Sequence, residues 1–473
     1  VKIGRAFCVT AFLALGALSL ASLYARPDKA NELYLESCAS CHGSKFEGGL
    51  GGNLADGLWM HGESDHAIAS VISQGLPDLG MPAFEKTLSS EQIRSLVVFL
   101  REKEKSTKTQ SSPPPQPKEG NTVKSLEHSY KIETVIGAAL TTPWSLAFLP
   151  DGRRLVTERP GALQIVDLDG NLLPEPVAGT PQVIELGQGG MLDVAVSPDF
   201  ASDGWIYLAF ADPLGGDKKR AMLKIVRGRI HDHSWADEEV VFQTAPDFYT
   251  SAGVHFGTRM VFDGGHLYFI VGERGGMLQA QDITRPNGKI YRVFADGRIP
   301  EDNPFAADKK AIPGIWSYGH RNPQGLAIDP RDHAIYATEH GPRGGDEFNL
   351  IRKGANYGWP VISHGMNYDG TPLTGLTEKG GMEQPLLHWT PSIAACGLAC
   401  YTGDKFPNWK YDFFAGGLRG ELHRIRVENG KAVSDEILLS GLGRIRDVRT
   451  GPDGFLYIVL NQPDRIVRLV PAE

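Results

Sequence analysis

Pro452-Asp453-Gly454-Phe455-Leu456-Tyr457-Ile458-Val459 is a tight turn that runs straight into an apolar, β-branched segment. Pro, Asp and Gly suit turn positions because they pre-set or tolerate the required backbone angles, whereas Leu, Tyr, Ile and Val favour a pleated, half-buried strand. Related turns occur at Pro150-Asp151-Gly152, Pro198-Asp199, Asp263-Gly264-Gly265, Asp329-Pro330 and Gly403-Asp404. Strand-like runs follow them at Leu155-Val156-Thr157, Trp205 to Leu208, Leu267 to Ile270, Ile335 to Thr338 and Phe413 to Ala415. Most units carry a further strand, such as Leu163 to Val166 or Arg465 to Leu469. Asp151 to Asp453 is 302 residues in five intervals, about 60 each. Six units of about four short strands predict an all-β, six-bladed β-propeller over residues 128–473. Tyr130 to Val135 supplies a strand that would complete the last blade and close the ring. A β-sandwich is the rival fold, and six internal repeats argue against it.

The composition fits a β-rich body. Gly is 56 and Pro 31 of 473 residues, and net charge is 48 − 56 = −8, so the basic footprint of a nucleic-acid binder is absent. Lys2 and Arg5 precede an apolar stretch, Ala11 to Leu23, and Leu23-Tyr24-Ala25 offers a small-residue cleavage site. That order reads as a secretory signal over residues 1–25, hence a periplasmic protein with no stable membrane span after cleavage; an uncleaved N-terminal anchor is the alternative. Of five cysteines, Cys8 would leave with the signal. Cys396 and Cys400 are too few for a disulfide scaffold, and a small-loop bridge between them stays open.

Cys38-Ala39-Ser40-Cys41-His42 is C-x-x-C-H, the attachment signature of one covalent haem c. Two thiols two residues apart add to the haem vinyl groups, and the adjacent His42 imidazole reaches the iron. A thioredoxin-like C-x-x-C needs no His and normally follows a strand, whereas Lys29 to Ser37 reads as a helix. Met81, held between Gly80 and Pro82 and 39 residues beyond His42, is the candidate second iron ligand; Met60, His61 and His66 are its rivals. His/Met ligation leaves no open site and points to electron transfer. Ser89-Ser90-Glu91-Gln92 resembles a capping box, and Ile93, Leu96, Val97 and Leu100 repeat at helical spacing. Residues 28–104 resemble a small all-α class I cytochrome c. With 6 Lys+Arg against 12 Asp+Glu, this domain is acidic enough to steer a basic redox partner, or merely well solvated. Residues 105–127, with Pro113-Pro114-Pro115 at their centre, read as a semi-rigid tether; an SH3-type ligand is the other reading.

No G-x-S-x-G, H-E-x-x-H or P-loop sequence stands out, and His231-x-His233 reads as a polar surface loop. The informative residues lie where strands hand over to loops, which in a propeller converge on one face of the channel. They include Gln188, His255, Glu273, Arg321-Asn322-Pro323-Gln324-Gly325, Glu339-His340-Gly341-Pro342, Glu347, Tyr357, Arg419 and Arg444-Ile445-Arg446-Asp447. Arginines from several blades suit planar recognition of a carboxylate-bearing ligand, and a nearby His suits a general base.

The ordered succession of His255, Arg321-Asn322-Pro323-Gln324-Gly325 and Arg444-x-Arg446-Asp447 resembles the glucose/sorbosone dehydrogenases, soluble aldose dehydrogenases that use pyrroloquinoline quinone (PQQ) on a six-bladed propeller. The resemblance spans residues 130–470. It implies that His255 takes the proton of the sugar's anomeric hydroxyl while hydride passes to the quinone. It implies that Gln188, Arg321, Asn322, Tyr368, Arg444 and Arg446 contact the quinone. It further implies that the carbonyls of Gly341 and Pro342 hold Ca2+ on the cofactor, and that Glu347 with the Tyr357 carbonyl forms a second, structural calcium site. Relatives commonly carry Lys where Arg419 stands, and some carry Asp at Glu273. Cys396 and Cys400 fall where small residues are expected.

The two halves together imply a quinohaemoprotein that oxidises an aldose at C1 to its lactone and passes electrons through its own haem to an external cytochrome or respiratory-chain acceptor. Three other readings remain: a cofactor-free propeller binding module with a haem domain, a calcium-dependent lactonase, and a dehydrogenase of a non-aldose alcohol or aldehyde such as a sorbosone-like substrate.

Overall fold

The computed structural model describes residues 28–137, 139–215 and 217–472; the expected signal segment, residues 1–25, lies outside them. Among the described residues no helix is long and apolar enough to cross a membrane.

Six antiparallel sheets form the body. Their first strands are Pro143–Phe148, Met191–Val196, Met260–Asp263, Pro323–Ile328, Ala395–Cys400 and Arg444–Thr450. Each first strand packs against the first strands of neighbouring blades around a central channel. The ring closes where Ser129–Ile136 pairs antiparallel with Arg465–Pro471, in register from Tyr130 opposite Pro471 to Thr134 opposite Val467, with a shift before Ile136 meets Ile466. The last blade therefore joins both ends of the propeller's chain. Val123–Lys124 adds a fifth strand outside it, while the first blade's ladder has three.

Apolar side chains fill the spaces between blades, as where Phe242, Phe269 and Tyr291 meet, the last two stacked at 5.0 Å. The channel itself is polar. Arg259, fully buried, bonds Asp193 at 2.8 Å and Asp447 at 3.1 Å, and Ser145 donates to Asp193 at 2.6 Å. This cluster ties four blades together. Removing Arg259 would strand buried carboxylates at a cost of roughly 3–5 kcal/mol.

The N-terminal domain is helical: α1 (Lys29–Ser37), α2 (Ala39–His42), α3 (Asp65–Gln74) and α4 (Ser90–Ser111). Asp28 caps α1, and Ser89 and Gln92 form the expected capping box on α4. Tyr34, Phe46 and Phe99 make its aromatic centre, with Tyr34 and Phe46 at 4.3 Å.

The tether differs from expectation. The expected boundary at residue 105 falls inside α4, which runs on to Ser111. Arg101 and Lys108 both pair with Glu104, and Trp59 Nε1 donates to it at 3.0 Å, so the polar stretch is a supported helix. Beyond it, the Pro115 carbonyl accepts from Ser440 N–H at 2.7 Å. Residues expected to form a semi-rigid tether instead lie along the propeller.

Candidate active site

Most of the residues singled out share one face. Gln188, His255, Arg321 and Asn322 precede a first strand, Gln324, Arg444 and Arg446 open one, and Glu273, His340, Gly341 and Arg419 follow a second one. Glu347 opens a third strand, and Tyr357 lies in the loop after it. On that face the first strands break register at Pro143/Ser145, Met191/Val194, Pro323/Gly325, Ala395/Leu398 and Ile445/Asp447. A bulge turns its extra residue out of the ladder and re-aims the side chain. Trp144, Gln324, Cys396 and Arg446 are released in this way, and they meet. Arg446 Nη1 lies 3.5 Å from Gln324 Oε1 and 3.6 Å from Cys396 Sγ, and its guanidinium carbon is 5.9 Å from the Trp144 ring centre. Cys396 Sγ donates to the Arg446 carbonyl at 3.1 Å. Cys396 and Cys400 are both free thiols on one extended strand, which at about 3.3 Å per residue holds them beyond disulfide reach.

Arg446 and Arg321 share an unusual condition. Every hydrogen-bond partner of the Arg446 guanidinium is neutral; burial and the charges of Arg444 and Arg259 hold it below its ordinary value. Arg321 Nη1 donates to the carbonyls of His340 at 3.1 Å and Gly341 at 2.7 Å, Nη2 lies 3.5 Å from the Tyr368 hydroxyl, and the group sits 5.2 Å over the Trp359 ring. Among the described residues neither forms an ion pair, whereas Arg259, Arg449 and Arg424 each hold a carboxylate. Cations withdrawn from water without counter-ions are costly and favour an anionic ligand. Three buried polar atoms beside them, Arg321 Nε, Asn322 Nδ2 and His340 Nε2, have no hydrogen-bond partner. A planar quinone bearing carboxylates fits such a donor set. Arg444 is exposed beside Arg446, and Arg419 is exposed, its backbone N–H donating to the Ile393 carbonyl at 3.2 Å.

His255 stands on the same face with φ +53°. Its N–H donates to Gln188 Oε1 at 2.8 Å, and a Cβ on Gly272 would collide with its carbonyl oxygen, so that glycine is required. Arg274 does not enter the site. It stacks 3.3 Å from the Phe256 ring and donates to the carbonyls of Val254 and Ala252, pinning the loop that carries His255. Glu273 is buried. Its Oε1 binds His255 Nδ1, its Oε2 accepts from Met277 N–H at 2.6 Å, and its own N–H donates to the Arg321 carbonyl at 2.8 Å. Burial pushes the His255 pKa below its usual value; Glu273 opposes that, while Arg321 and Arg274 reinforce it. Burial thus favours the neutral imidazole, and the Glu273 contact at Nδ1 leaves Nε2 as the nitrogen suited to accept a proton.

The carbonyl of Gly341, one of two assigned to calcium by the resemblance, here accepts from Arg321. A Cβ on Gly341 would collide with the Gly345 carbonyl oxygen, so the turn crowds backbone oxygens together, a donor set that suits a hard cation. Glu347 lies directly opposite Glu339 on the paired strand. Burial and the Glu339 charge push its carboxyl well above the ordinary range. His320 binds Glu339 at 3.0 Å and stacks on the Tyr357 ring at 4.5 Å, which brings Tyr357 to the same place. Two opposed carboxylates repel unless a cation lies between them.

In the helical domain His42 Nδ1 bonds the Gly52 carbonyl at 2.8 Å, which frees Nε2 for iron. A Cβ on Gly51 would fall 2.6 Å from His42 Cε1, so the ring lies in a cradle only glycine leaves open. Met81 bridges to Leu76 and, with Cys38, packs on the domain's apolar cluster, whereas Met60, His61 and His66 are exposed. The residues fit a covalently held haem.

Sequence reasoning gave His340 no role and left Cys396 as an oddity. His340 is held neutral by burial and by Arg321 and Arg446, with Nε2 unpartnered. His231 and His233 lie at a hairpin tip, bonded to Asp237 and to the Glu175 carbonyl.

Comparison with known proteins bears on both halves. The profile of the Glucose / Sorbosone dehydrogenase family matches residues 140–468, and that of Cytochrome C oxidase, cbb3-type, subunit III matches residues 25–100. The aldose sugar dehydrogenase YliI of Escherichia coli (strain K12) is 42% identical over 336 residues, covering 69% of this chain and 89% of that protein. The crystal structure of the soluble aldose sugar dehydrogenase of Escherichia coli in its apo-form superposes with TM-score 0.68 at 39% identity, covering 72% of this chain and 100% of that one. The PQQ-bound aldose sugar dehydrogenase of Streptomyces coelicolor superposes with TM-score 0.60 at 28% identity, covering 72% and 98%.

Proposed function

The chain belongs to the glucose/sorbosone dehydrogenase family, an oxidoreductase fused to a cytochrome c domain, and from that footing we propose that it oxidises an aldose at C1 to the lactone. The observation that carries the reading is the pairing, on one face, of two guanidinium groups without counter-ions and a histidine–glutamate pair.

PQQ would be held by Arg446, Arg321, Asn322, Gln188 and Tyr368, with the more exposed Arg444 and Arg419 at its rim. Calcium would sit on the Gly341 and Pro342 carbonyls. The solved relative with PQQ bound supports this choice of cofactor. Bound there, the quinone supplies a two-electron acceptor for hydride from C1, and calcium polarises it as a Lewis acid. His255 takes the anomeric hydroxyl proton at Nε2, and Glu273 fixes the ring and stabilises the imidazolium that forms. A haem c on Cys38, Cys41, His42 and Met81 supplies a one-electron acceptor. Export through residues 1–25 would place the enzyme in the periplasm, facing an external cytochrome or respiratory-chain acceptor. We assign Glu347 and the Tyr357 carbonyl to a second, structural calcium ion.

The test is optical. Haem-loaded protein receives PQQ and Ca2+, then a panel of aldoses and sorbosone-like aldehydes without oxygen, and the ferrous haem band is followed. Reduction by aldoses only when PQQ and Ca2+ are both present is the expected result. Reduction by the aldehydes alone would replace the substrate class, and sugar oxidation surviving His255→Ala would overturn the mechanism.

A further inference from the structure

The loop that follows Glu339 does two things at once. Arg343 and Met366 form an isolated antiparallel bridge, each donating its N–H to the other's carbonyl at 2.9 Å. Two residues before Arg343 is Gly341, and two after Met366 is Tyr368; both touch Arg321. One end of this short ladder is therefore fixed to an arginine of the candidate cofactor pocket. The bridge pair itself is buried against the helical domain. Met366 has no exposed surface and belongs to the apolar cluster of α1, α3 and α4. Arg343 binds Asp28 at 2.8 Å and Glu102 at 2.6 Å, and its side chain is only 15% exposed.

Other contacts extend the same interface. Lys29 N–H donates to the Asp369 carbonyl at 2.9 Å, Arg94 donates to the His364 carbonyl, and Lys105 binds Glu421 at 2.9 Å. A tethered domain in free motion would reach its partner at roughly millimolar effective concentration and leave its surface charges solvated. A buried methionine and a guanidinium shared by two carboxylates are instead the marks of a fitted interface.

We propose that the surface formed by Arg343, Met366 and the loop to Asp369 is a permanent docking site for the chain's own haem domain, on the rim of the cofactor face, and that electrons pass to the haem in this docked state rather than by excursions on a tether. The inference rests on the reading above that the propeller delivers sugar electrons to the haem. Oxidation of one aldose to its lactone releases two electrons and two protons. A ferric haem takes one electron at a time, so two passages balance one lactone, with two equivalents of a one-electron acceptor such as ferricyanide reoxidising the haem. The protons go to solvent.

The test uses the full chain and the double variant Asp28→Asn with Glu102→Lys. The amide introduced by Asp28→Asn keeps a side-chain oxygen to cap α1, and neither residue belongs to the pocket. In the haem-loaded, PQQ-free protein, small-angle scattering should give one compact particle for the parent chain and an expanded one for the variant. In the holoenzyme, aldose-driven haem reduction should slow at least tenfold in the variant, while reduction of a small dye directly at the cofactor stays unchanged. Lys105→Glu, at another point of the interface, should slow haem reduction in the same sense, and an unaltered haem spectrum in each variant verifies folding. An expanded parent particle, or haem reduction at the parent rate in the double variant, would overturn the proposal. If the parent holoenzyme reduces neither dye nor haem with any aldose, the catalytic reading has failed, and scattering alone decides the docking.

Discussion

Glu273 Oε1 holds His255 Nδ1, and the same residue's backbone N–H donates to the carbonyl of Arg321 at 2.8 Å. One carboxylate residue thus sets both the tautomer of the candidate base and the position of the strand end that carries the candidate cofactor arginine. Burial, with Arg321 and Arg274, keeps the imidazole pKa below its ordinary value despite that carboxylate. The proton-accepting form therefore persists to lower pH than a free histidine would allow. The acid limb of kcat/KM should have its midpoint below the ordinary histidine value of about 6.5. Glu273→Gln removes the one group that favours the imidazolium, so the midpoint should move further down while kcat falls by about 10- to 100-fold. A limb unmoved by this change would mean that another group titrates.

Arg446 offers a sharper test of what occupies the pocket. The hydrogen-bond partners of its guanidinium are Gln324, Cys396 and Asn461, all neutral and at 3.5 Å or more. Arg446→Met should therefore leave stability nearly unchanged, since no ion pair is broken. Affinity for PQQ, followed by its fluorescence on titration, should fall by about 10- to 100-fold, the worth of one charge-assisted hydrogen bond. Arg449, which binds Asp193 and Asp447 at 2.9 Å, should show the opposite pattern when changed to Met: lowered stability with cofactor affinity preserved in the folded fraction.

Much of this was legible in the residues themselves, for identifiable reasons. Turn-plus-strand units announce a propeller because every blade needs the same half-buried ribbon and tight turn. C-x-x-C-H and the Ser89–Gln92 cap are local, so spacing alone reveals them. Three features were not legible because each depends on chain segments that meet only after folding. Bulges at the starts of the first strands bring Trp144, Gln324, Cys396 and Arg446 together, and no single strand's alternation encodes that. The Arg343–Met366 bridge joins positions in two separate loops. The end of α4 reads as polar linker because its support, Trp59 and Arg101 on Glu104, is partly nonlocal.

Glu339 and Glu347 stand opposite one another on paired strands, and burial together with the Glu339 charge raises the Glu347 carboxyl. A calcium ion there would convert a repulsive pair into ligands. Adding a chelator to the calcium-loaded enzyme should lower the Tm, and saturating calcium should restore it. At about a hundred times its Kd one ion contributes about 2.7 kcal/mol. Glu347→Gln relieves the repulsion and removes a ligand together, so chelator should lower the variant's Tm clearly less than the parent's. A Tm that responds equally in both proteins would place the stabilising ion elsewhere.

Gly51 provides a test of the haem half that replaces no candidate iron ligand. Its missing side chain leaves room for the His42 ring, whose Cε1 a Cβ would approach to 2.6 Å, while the Gly52 carbonyl holds Nδ1 of the same ring at 2.8 Å. The imidazole cannot move away from a new methyl group without stretching that hydrogen bond, and the bond is what orients Nε2. Gly51→Ala should still attach haem through Cys38 and Cys41, because the thiols are unaffected. The reduced spectrum should change with the altered axial ligation, and the haem midpoint potential should shift. Sugar oxidation measured with a small dye at the propeller should remain at the parent level, since Gly51 lies in the other domain. A variant with an unaltered haem spectrum and potential would show that the ring has more freedom than its two backbone neighbours allow.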